Sequence, residues 1–144
     1  MSINNIEFSK LERELLKTRK SPIDYLAPEI GKVYVVAITR DGCSACERQK
    51  TKLNKVATTI SKKHGDKVVF TRIHVKLPKG SNEESLRCKD MFGHYFYPTN
   101  LILLRTADRG AIEYYKNVSP DMNELKRNIE TTLEVATTIE KETA

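Results

Sequence analysis

The sequence predicts an α/β protein with a central mixed β-sheet flanked by helices on both faces. Three observations lead to this prediction. Residues 33–39 form an almost wholly apolar run, typical of a central strand that is covered on both faces. Charged segments on either side carry apolar residues at helical spacing. Near the C-terminus, two apolar runs are separated by the turn residues 107–110, which predicts an antiparallel hairpin.

The first half of the chain is predicted to contain two helices around a central strand. Apolar residues at helical spacing predict an amphipathic helix over residues 8–20, and a short strand around residues 3–8 is compatible with the sequence before it. Residues 21–32 contain two prolines and a glycine, which favours a connection or a short helical turn. The strand over residues 33–39 follows. A second helix is predicted over residues 46–63, where His64, Gly65 and Asp66 mark its end.

The second half begins with a strand predicted over residues 67–75. A polar loop over residues 78–85 leads into a short helix over residues 83–92, which ends at a glycine. Residues 99–105 and 111–115 are the strands of the predicted hairpin. The predicted order is helix, strand, helix, strand, helix, two antiparallel strands and a final helix. This order predicts a mixed sheet with helices on both faces.

A long amphipathic helix is predicted to close the chain. Ser119-Pro120-Asp121 is a helix-start signal, with Ser119 as the N-cap and Pro120 in the first turn. One face of the helix is expected to be apolar. The residues of that face are Met122, Leu125, Ile129, Leu133 and Ala136.

The sequence Cys43-Ser44-Ala45-Cys46 joins the apolar strand to the second helix. At such a turn the first cysteine lies over the unpaired backbone N–H groups of the helix N-terminus. Their partial positive charge favours a thiolate over a thiol. Two cysteines with this spacing at this position indicate dithiol/disulfide redox chemistry.

Composition narrows the class of protein. With 144 residues, 31% of them charged, the chain fits one globular domain that needs no disulfide or metal to form a core. The net charge of +6 is spread at helical spacing, without interleaved aromatics, so we interpret it as solvated helix faces and expect no nucleic-acid partner. Three cysteines argue against a structural disulfide framework. The first residues lack the features of a signal peptide and no apolar stretch is long enough to span a bilayer, so we expect a cytoplasmic protein.

The order of elements and the CxxC motif together resemble the thioredoxin fold, from about residue 33 to residue 135. A second marker is the segment Phe92-Gly93-His94-Tyr95-Phe96-Tyr97-Pro98-Thr99, which is similar to the thioredoxin segment that ends in a cis-proline followed by threonine. On this resemblance, residues 33–144 are a thioredoxin-like core with a long C-terminal helix. Residues 1–32 are an N-terminal helical extension of the same domain.

The resemblance implies a protein-disulfide oxidoreductase. Cys43 would be the exposed attacking thiolate and Cys46 the buried resolving thiol. The Tyr97–Pro98 peptide bond would be cis, with Pro98 beside the disulfide, and Tyr97, Pro98 and Thr99 would bind substrate by a form of strand addition. The implied partners are proteins with disulfides or dithiols and a reductase or other electron donor. The sequence carries no signature of an organic or metal cofactor.

The active-site sequence departs from the usual thioredoxin pattern. Gly42 stands where thioredoxins usually have tryptophan, and Ser44-Ala45 replaces Gly-Pro between the cysteines. The buried acid that helps to deprotonate the resolving cysteine falls at Ala37 in this chain. Asp41 and Glu47 are carboxylates that could partly substitute for it, although a solvated role is the simpler interpretation of each.

Other residues near these motifs have two interpretations each. Arg40 and Arg48 flank the CxxC and could favour the thiolate or could simply be solvated. His94 could carry a proton or bind a metal, against the plainer prediction of a surface histidine. Cys88 could be a regulatory thiol, but a packing role is the better prediction, because free cysteines are among the most buried residues.

Two other functions remain open at this point. The chain could be a thioredoxin-like module that binds polypeptides with little turnover, which the missing acid and the absence of tryptophan make credible. It could also bind zinc through Cys43, Cys46, Cys88 and His94, although the spacing of these four residues is poor for a zinc site.

Overall fold

Five strands and five α-helices are found in the computed structural model, which describes residues 3–118 and 121–144. In chain order they are β1 (Asn4–Glu7), α1 (Phe8–Thr18), α2 (Pro22–Leu26), β2 (Val33–Arg40), α3 (Ser44–His64), β3 (Val68–Val75), α4 (Glu83–Phe92), β4 (Thr99–Arg105), β5 (Ala111–Val118) and α5 (Met122–Thr143). Short 3-10 turns at Gly65–Lys67 and Pro78–Gly80 follow α3 and β3.

The described strands form one sheet in the order β1-β3-β2-β4-β5. β1 and β2 both run parallel to β3, whereas β4 runs antiparallel to β2 and to β5. The sheet is therefore mixed, as the sequence predicts. The N-terminal segment contributes a strand at the sheet edge in addition to the predicted helix, and the division of the chain at residue 32 stays a prediction.

Strand β2 lies at the centre of the sheet and is buried on both faces. Alternate residues Val33, Val35 and Ala37 belong to the core that α3 and α5 cover. The intervening residues Tyr34, Val36 and Ile38 belong to the opposite core, under α1 and α4. Coverage on both sides explains why β2 is almost continuously apolar and does not alternate with polar residues.

The observed boundaries follow the predicted ones with small shifts at capping positions. Helix α1 ends two residues early, because Arg19 adopts a left-handed conformation (φ 58°) and its N–H bonds the carbonyl of Leu15. Helix α3 begins two residues before the prediction, at Ser44, because Cys43 serves as its N-cap. Strand β5 continues to Val118, three residues beyond the predicted end.

Helix α5 carries the predicted apolar face, with Leu125, Ile129, Leu133 and Ala136 all buried. Its start differs from the prediction. The expected cap residues Ser119 and Pro120 lie outside the described residues, and the helix begins at Met122. The side chain of Asp121 caps it, accepting a 2.7 Å hydrogen bond from the N–H of Asn123. No helix in the described part of the chain is both long enough and apolar enough to cross a membrane.

Candidate active site

The CxxC motif occupies the turn between β2 and α3. Gly42 has φ 67°, a left-handed conformation that glycine adopts readily, and it turns the chain from the strand into the helix. Cys43 is the N-cap of α3, and its Sγ accepts a 3.1 Å hydrogen bond from the backbone N–H of Cys46. The two cysteines are joined as a disulfide, with their Cα atoms 5.2 Å apart. The first cysteine therefore lies at the helix N-terminus, as predicted.

The two cysteines do not differ in exposure. Cys43 is 7% exposed and Cys46 is 6% exposed. The expectation of an exposed Cys43 beside a buried Cys46 is therefore not met in the disulfide form. Cys43 caps the first turn of α3, and Cys46 lies on the side of the helix that faces the sheet.

The loop before β4 lies at the same end of the sheet as the CxxC. The Tyr97–Pro98 peptide bond is cis, as the resemblance implies. Thr99 pairs with Ile38 across the β2–β4 ladder, which places Pro98 beside the end of β2. The guanidinium of Arg40 lies 5.6 Å from the ring centroid of Tyr97 and links the two loops.

The side chain of Thr99 holds this loop from inside. Thr99 is fully buried, and its hydroxyl donates a 2.7 Å hydrogen bond to the carbonyl of Phe96. Pro98 is also buried. By contrast, Tyr95 and Phe96 in the same loop are 80% and 63% exposed. The loop is therefore anchored in the protein by Pro98 and Thr99 and exposes the aromatic rings of Tyr95 and Phe96 to solvent.

His94 is buried, so the prediction of a surface histidine is wrong. It is 2% exposed, and its Nδ1 lies 3.1 Å from the carbonyl of Phe96. A carbonyl can only accept, so Nδ1 carries the proton and Nε2 is left to accept from the Cys88 thiol, 3.5 Å away. Burial lowers the pKa of His94, although the Phe96 carbonyl acts in the opposite direction. The burial of His94 could not be predicted from the sequence, because it arises from the way the loop before β4 folds around the imidazole ring.

Cys88 is confirmed as a packing residue. It is fully buried and free. Burial raises the pKa of its thiol to about 12. Tyr97 lies in the same cluster, with its hydroxyl 3.0 Å from that of Ser85, and burial likewise raises the pKa of Tyr97 to about 12. These groups are protonated and neutral at physiological pH.

The carboxylates near the motif do not face the cysteines. Asp41 accepts hydrogen bonds from the Nε2 of His74 at 2.8 Å and from the N–H of Leu77 at 3.0 Å. These bonds, with that from His74 the strongest, lower the pKa of Asp41. Asp41 therefore ties the turn to the end of β3, and Glu47 has an exposed side chain on the first turn of α3.

A pocket of about 420 Å³ lies between α3 and the sheet, with Cys46 in its wall. Ala37 lines it too, and the sheet places Arg72 of β3 beside Ala37 on one side and Asn100 of β4 on the other. Gln49 lies one helical turn beyond Cys46 and also lines the pocket. Among the described residues, the pocket wall contains no aspartate or glutamate.

Gln49 of this wall forms a reciprocal amide pair with Asn100, which lies next to Ala37 in the sheet. Gln49 Nε2 donates to Asn100 Oδ1 at 3.0 Å, and Asn100 Nδ2 donates to Gln49 Oε1 at 2.9 Å. Both residues are buried, and neither amide can take up a proton near neutral pH. Neither residue was predicted from the sequence to belong to the site. The available signal was Asn100 itself, a polar residue at the start of an otherwise apolar strand.

The four residues of the zinc hypothesis are not gathered into one site. In the described part of the chain, no three or more His, Cys, Asp or Glu side chains are placed to hold a metal ion together. Cys43 and Cys46 form a disulfide at the start of α3, whereas Cys88 and His94 face each other in the core under α4.

Solved thioredoxins match the structure over most of its length. Thioredoxin f2 from Chlamydomonas reinhardtii matches with a TM-score of 0.58 at 14% identity, covering 91% of this chain and 96% of that protein. Thioredoxin NaTrxh from Nicotiana alata matches with a TM-score of 0.57 at 22% identity, covering 91% and 94%. Thioredoxin from Fasciola hepatica matches with a TM-score of 0.54 at 13% identity, covering 90% and 98%.

These likenesses define the fold. The chain has the thioredoxin fold, with a CxxC motif at the β2–α3 turn and a cis-proline loop before β4. No protein-family model and no curated protein matches the sequence.

Proposed function

We propose that this chain is a thiol-disulfide oxidoreductase that acts on protein disulfides through Cys43 and Cys46. The observation that carries the proposal is the disulfide at the N-terminus of α3, where the N–H of Cys46 donates to Cys43 Sγ. When the disulfide is reduced, the same N–H and the field of a 21-residue helix favour a negative charge on Cys43.

The proposed reaction has two thiol exchange steps. The Cys43 thiolate attacks one sulfur of a substrate disulfide, forming a mixed disulfide and expelling the other substrate sulfur, which takes up a proton. Cys46 then loses its proton and attacks Cys43 Sγ. This step breaks the mixed disulfide and releases the second substrate thiol. Two electrons pass from the Cys43/Cys46 dithiol to the substrate, and the reverse sequence oxidises a dithiol.

We assign substrate binding to the loop that holds Tyr97, Pro98 and Thr99. Its position beside the end of β2, level with the CxxC turn, supports this role. The exposed rings of Tyr95 and Phe96 offer an apolar surface to an extended polypeptide. Thr99 would contribute by fixing the loop, since its hydroxyl is bound to the carbonyl of Phe96.

The partners of this reaction are protein substrates and a separate reductant. Each turnover leaves Cys43 and Cys46 oxidised, so a reductase or another electron donor must restore the dithiol. We propose a cytoplasmic location, because a chain with three cysteines and no disulfide framework suits a reducing compartment. Cell fractionation would test the location.

A polypeptide-binding module with little turnover is the second candidate. The observation that favours it is the pocket beside Cys46, whose described wall, including Ala37 and Gln49, has no proton acceptor of the carboxylate type. Without one, release of the mixed disulfide would be slow, and the cis-proline loop would serve mainly to hold a partner.

Redox titration of the purified protein distinguishes the two. Free thiols are alkylated at each potential and located by mass spectrometry. An oxidoreductase should show one two-electron couple confined to Cys43 and Cys46, within roughly −120 to −270 mV. Absence of such a couple would overturn the redox proposal.

Activity of matched variants completes the test. With dithiothreitol and a model protein disulfide, Cys43→Ser should abolish turnover and Cys46→Ser should accumulate mixed disulfides on Cys43. Cys88→Ala is the control and should retain turnover. A binding module would instead keep its affinity for a partner polypeptide in both active-site variants.

A further inference from the structure

We propose that the pocket between α3 and the β1–β3–β2 side of the sheet binds a small organic oxyanion, with the guanidinium of Arg72 as its anchor. The ligand class is a carboxylate or a phosphate monoester with a short apolar body. This site is separate from the substrate surface at the cis-proline loop, and its occupation does not depend on the redox proposal.

The first observation is the state of the Arg72 side chain. A guanidinium has five N–H donors in a fixed plane. Within the described part of the chain, the side chain of Arg72 makes no hydrogen bond or ion pair, and its Nε is fully buried without an acceptor. A buried donor that has lost water and gained no partner is costly, and a charged donor more so. The terminal nitrogens of the guanidinium are not fully buried in this way, and an anion in the pocket would bind the charged group through them.

The second observation is the charge of the pocket wall. Arg72 and Lys50 both line the pocket, and its described wall contains no acidic side chain to compensate for their two positive charges. The planar guanidinium can bind both oxygens of a carboxylate or phosphate at once. Lys50 is exposed at the rim, where its ammonium acts as a second and weaker point of attraction.

The third observation is the size and lining of the pocket. Its volume of about 420 Å³ is within the range of roughly 300–1,000 Å³ found for small-molecule sites. Ile3, Ala37 and Leu53 provide apolar walls, and Asn5 and Thr58 provide polar groups. This combination fits a charged head on a small apolar body better than it fits an inorganic ion alone.

Three probes that share a phenyl ring test the proposal on the oxidised protein at constant ionic strength. Benzoate carries a carboxylate on the phenyl ring and phenyl phosphate carries a phosphate monoester. Benzamide carries an uncharged amide. Titrations are followed by the NMR signals of the Arg72 Nε–H group and of the backbone amides of α3. We expect at least one oxyanion to shift the Arg72 signal saturably, and benzamide to leave it unchanged.

Variants of Arg72 test whether its guanidinium binds the oxyanion. Arg72→Gln should weaken the bound oxyanion by about tenfold or more, because it removes the charge and the paired donors. Arg72→Lys keeps the charge without the planar fork and should also weaken binding, which covers the case in which the glutamine variant fails to fold. Arg109→Gln and Lys62→Gln remove exposed charges elsewhere and should leave the affinity unchanged.

Several outcomes would overturn the proposal. One is the failure of both oxyanions to shift the Arg72 signal at millimolar concentration, and another is equal binding of benzamide. A third is equal weakening by the Arg109 and Lys62 variants, which would indicate general attraction to a basic protein. Because binding is measured on the disulfide form, each result is independent of whether Cys43 and Cys46 catalyse thiol exchange.

Discussion

Gln49 and Asn100 join α3 to β4, the strand that follows the cis-proline. Their two amides exchange hydrogen bonds of 3.0 and 2.9 Å in the core, one helical turn after Cys46 and two residues after Pro98. The pair thereby couples the positions of the two loops that form the candidate active site. It also occupies the sheet position next to Ala37 with groups that hold no charge.

The first prediction concerns the stability that this pair provides. Asn100→Leu, which keeps the branched outline of the side chain but removes the partner, leaves the buried Gln49 amide unsatisfied and should cost about 1–3 kcal/mol of unfolding free energy. Gln49→Leu combined with Asn100→Leu should recover much of that loss. Urea denaturation measures both. Asn117→Ala, at the paired position on the edge strand β5, should cost less, because its bonds are more exposed. A double variant as unstable as the sum of the singles would contradict the interpretation.

The second prediction concerns Ala37, which stands where thioredoxins have a buried acid. Ala37→Asp places a carboxylate in the wall shared with Cys46 and next to Arg72, which can pair with it. As a proton acceptor it should speed release of substrate from the Cys43 mixed disulfide by about tenfold or more near neutral pH. Rapid-quench measurement of the release step tests this. Ala37→Asn has the same shape without the charge and should not accelerate release. Equal rates in the two variants would show that proton removal does not limit the step.

The third prediction concerns the reactivity of Cys88. With a pKa of about 12, only about one thiol in ten thousand is ionised near pH 8, and the side chain is fully buried. After reduction of the folded protein, an alkylating reagent should therefore label Cys43 first and leave Cys88 unlabelled until denaturant is added. Peptide mass spectrometry locates the labels. Labelling of Cys88 in the native protein at the rate of Cys43 would disprove the packing role.

The fourth prediction concerns pH and His94. Burial lowers its pKa in the folded state, and the positive charges of Lys89 and Lys116 act in the same direction. The unfolded chain therefore binds the proton more tightly. The stabilisation is complete above the ordinary pKa of 6.5 and is lost as the pH falls through the lower folded value. Carboxylates whose pKa is lowered, such as Asp41, lose their contribution only at more acidic pH.

Chemical denaturation between about pH 7 and pH 5 tests this dependence. The wild-type protein should lose stability across the interval, and His94→Gln, which cannot titrate, should show a flatter profile. His64→Gln, at the far end of α3, is the control and should keep the wild-type slope. Parallel profiles for the wild type and His94→Gln would rule out His94 as the source.

The sequence by itself was sufficient for the elements and their order. The apolar run of β2, the amphipathic spacing of the helices and the turn residues of the β4–β5 hairpin are local patterns, and each is confirmed to within a few residues. The position of Cys43 at a helix N-terminus followed from the same local reasoning. The cis bond before Pro98 came from the resemblance to thioredoxins, and the structure contains it.

Only the tertiary structure decided which side chains share the site. Arg72, Ala37 and Asn100 are far apart in sequence and become neighbours through the register of three strands, and Gln49 joins them because α3 packs on that face. The burial of His94 and the hydrogen bond between Asp41 and His74 also depend on tertiary contacts that the local sequence does not show. Periodicity predicts which face of an element is apolar, but strand register and loop closure depend on the free energy of the whole packed domain. For that reason the CxxC motif was evident from the sequence, whereas the charge and polarity around it were not.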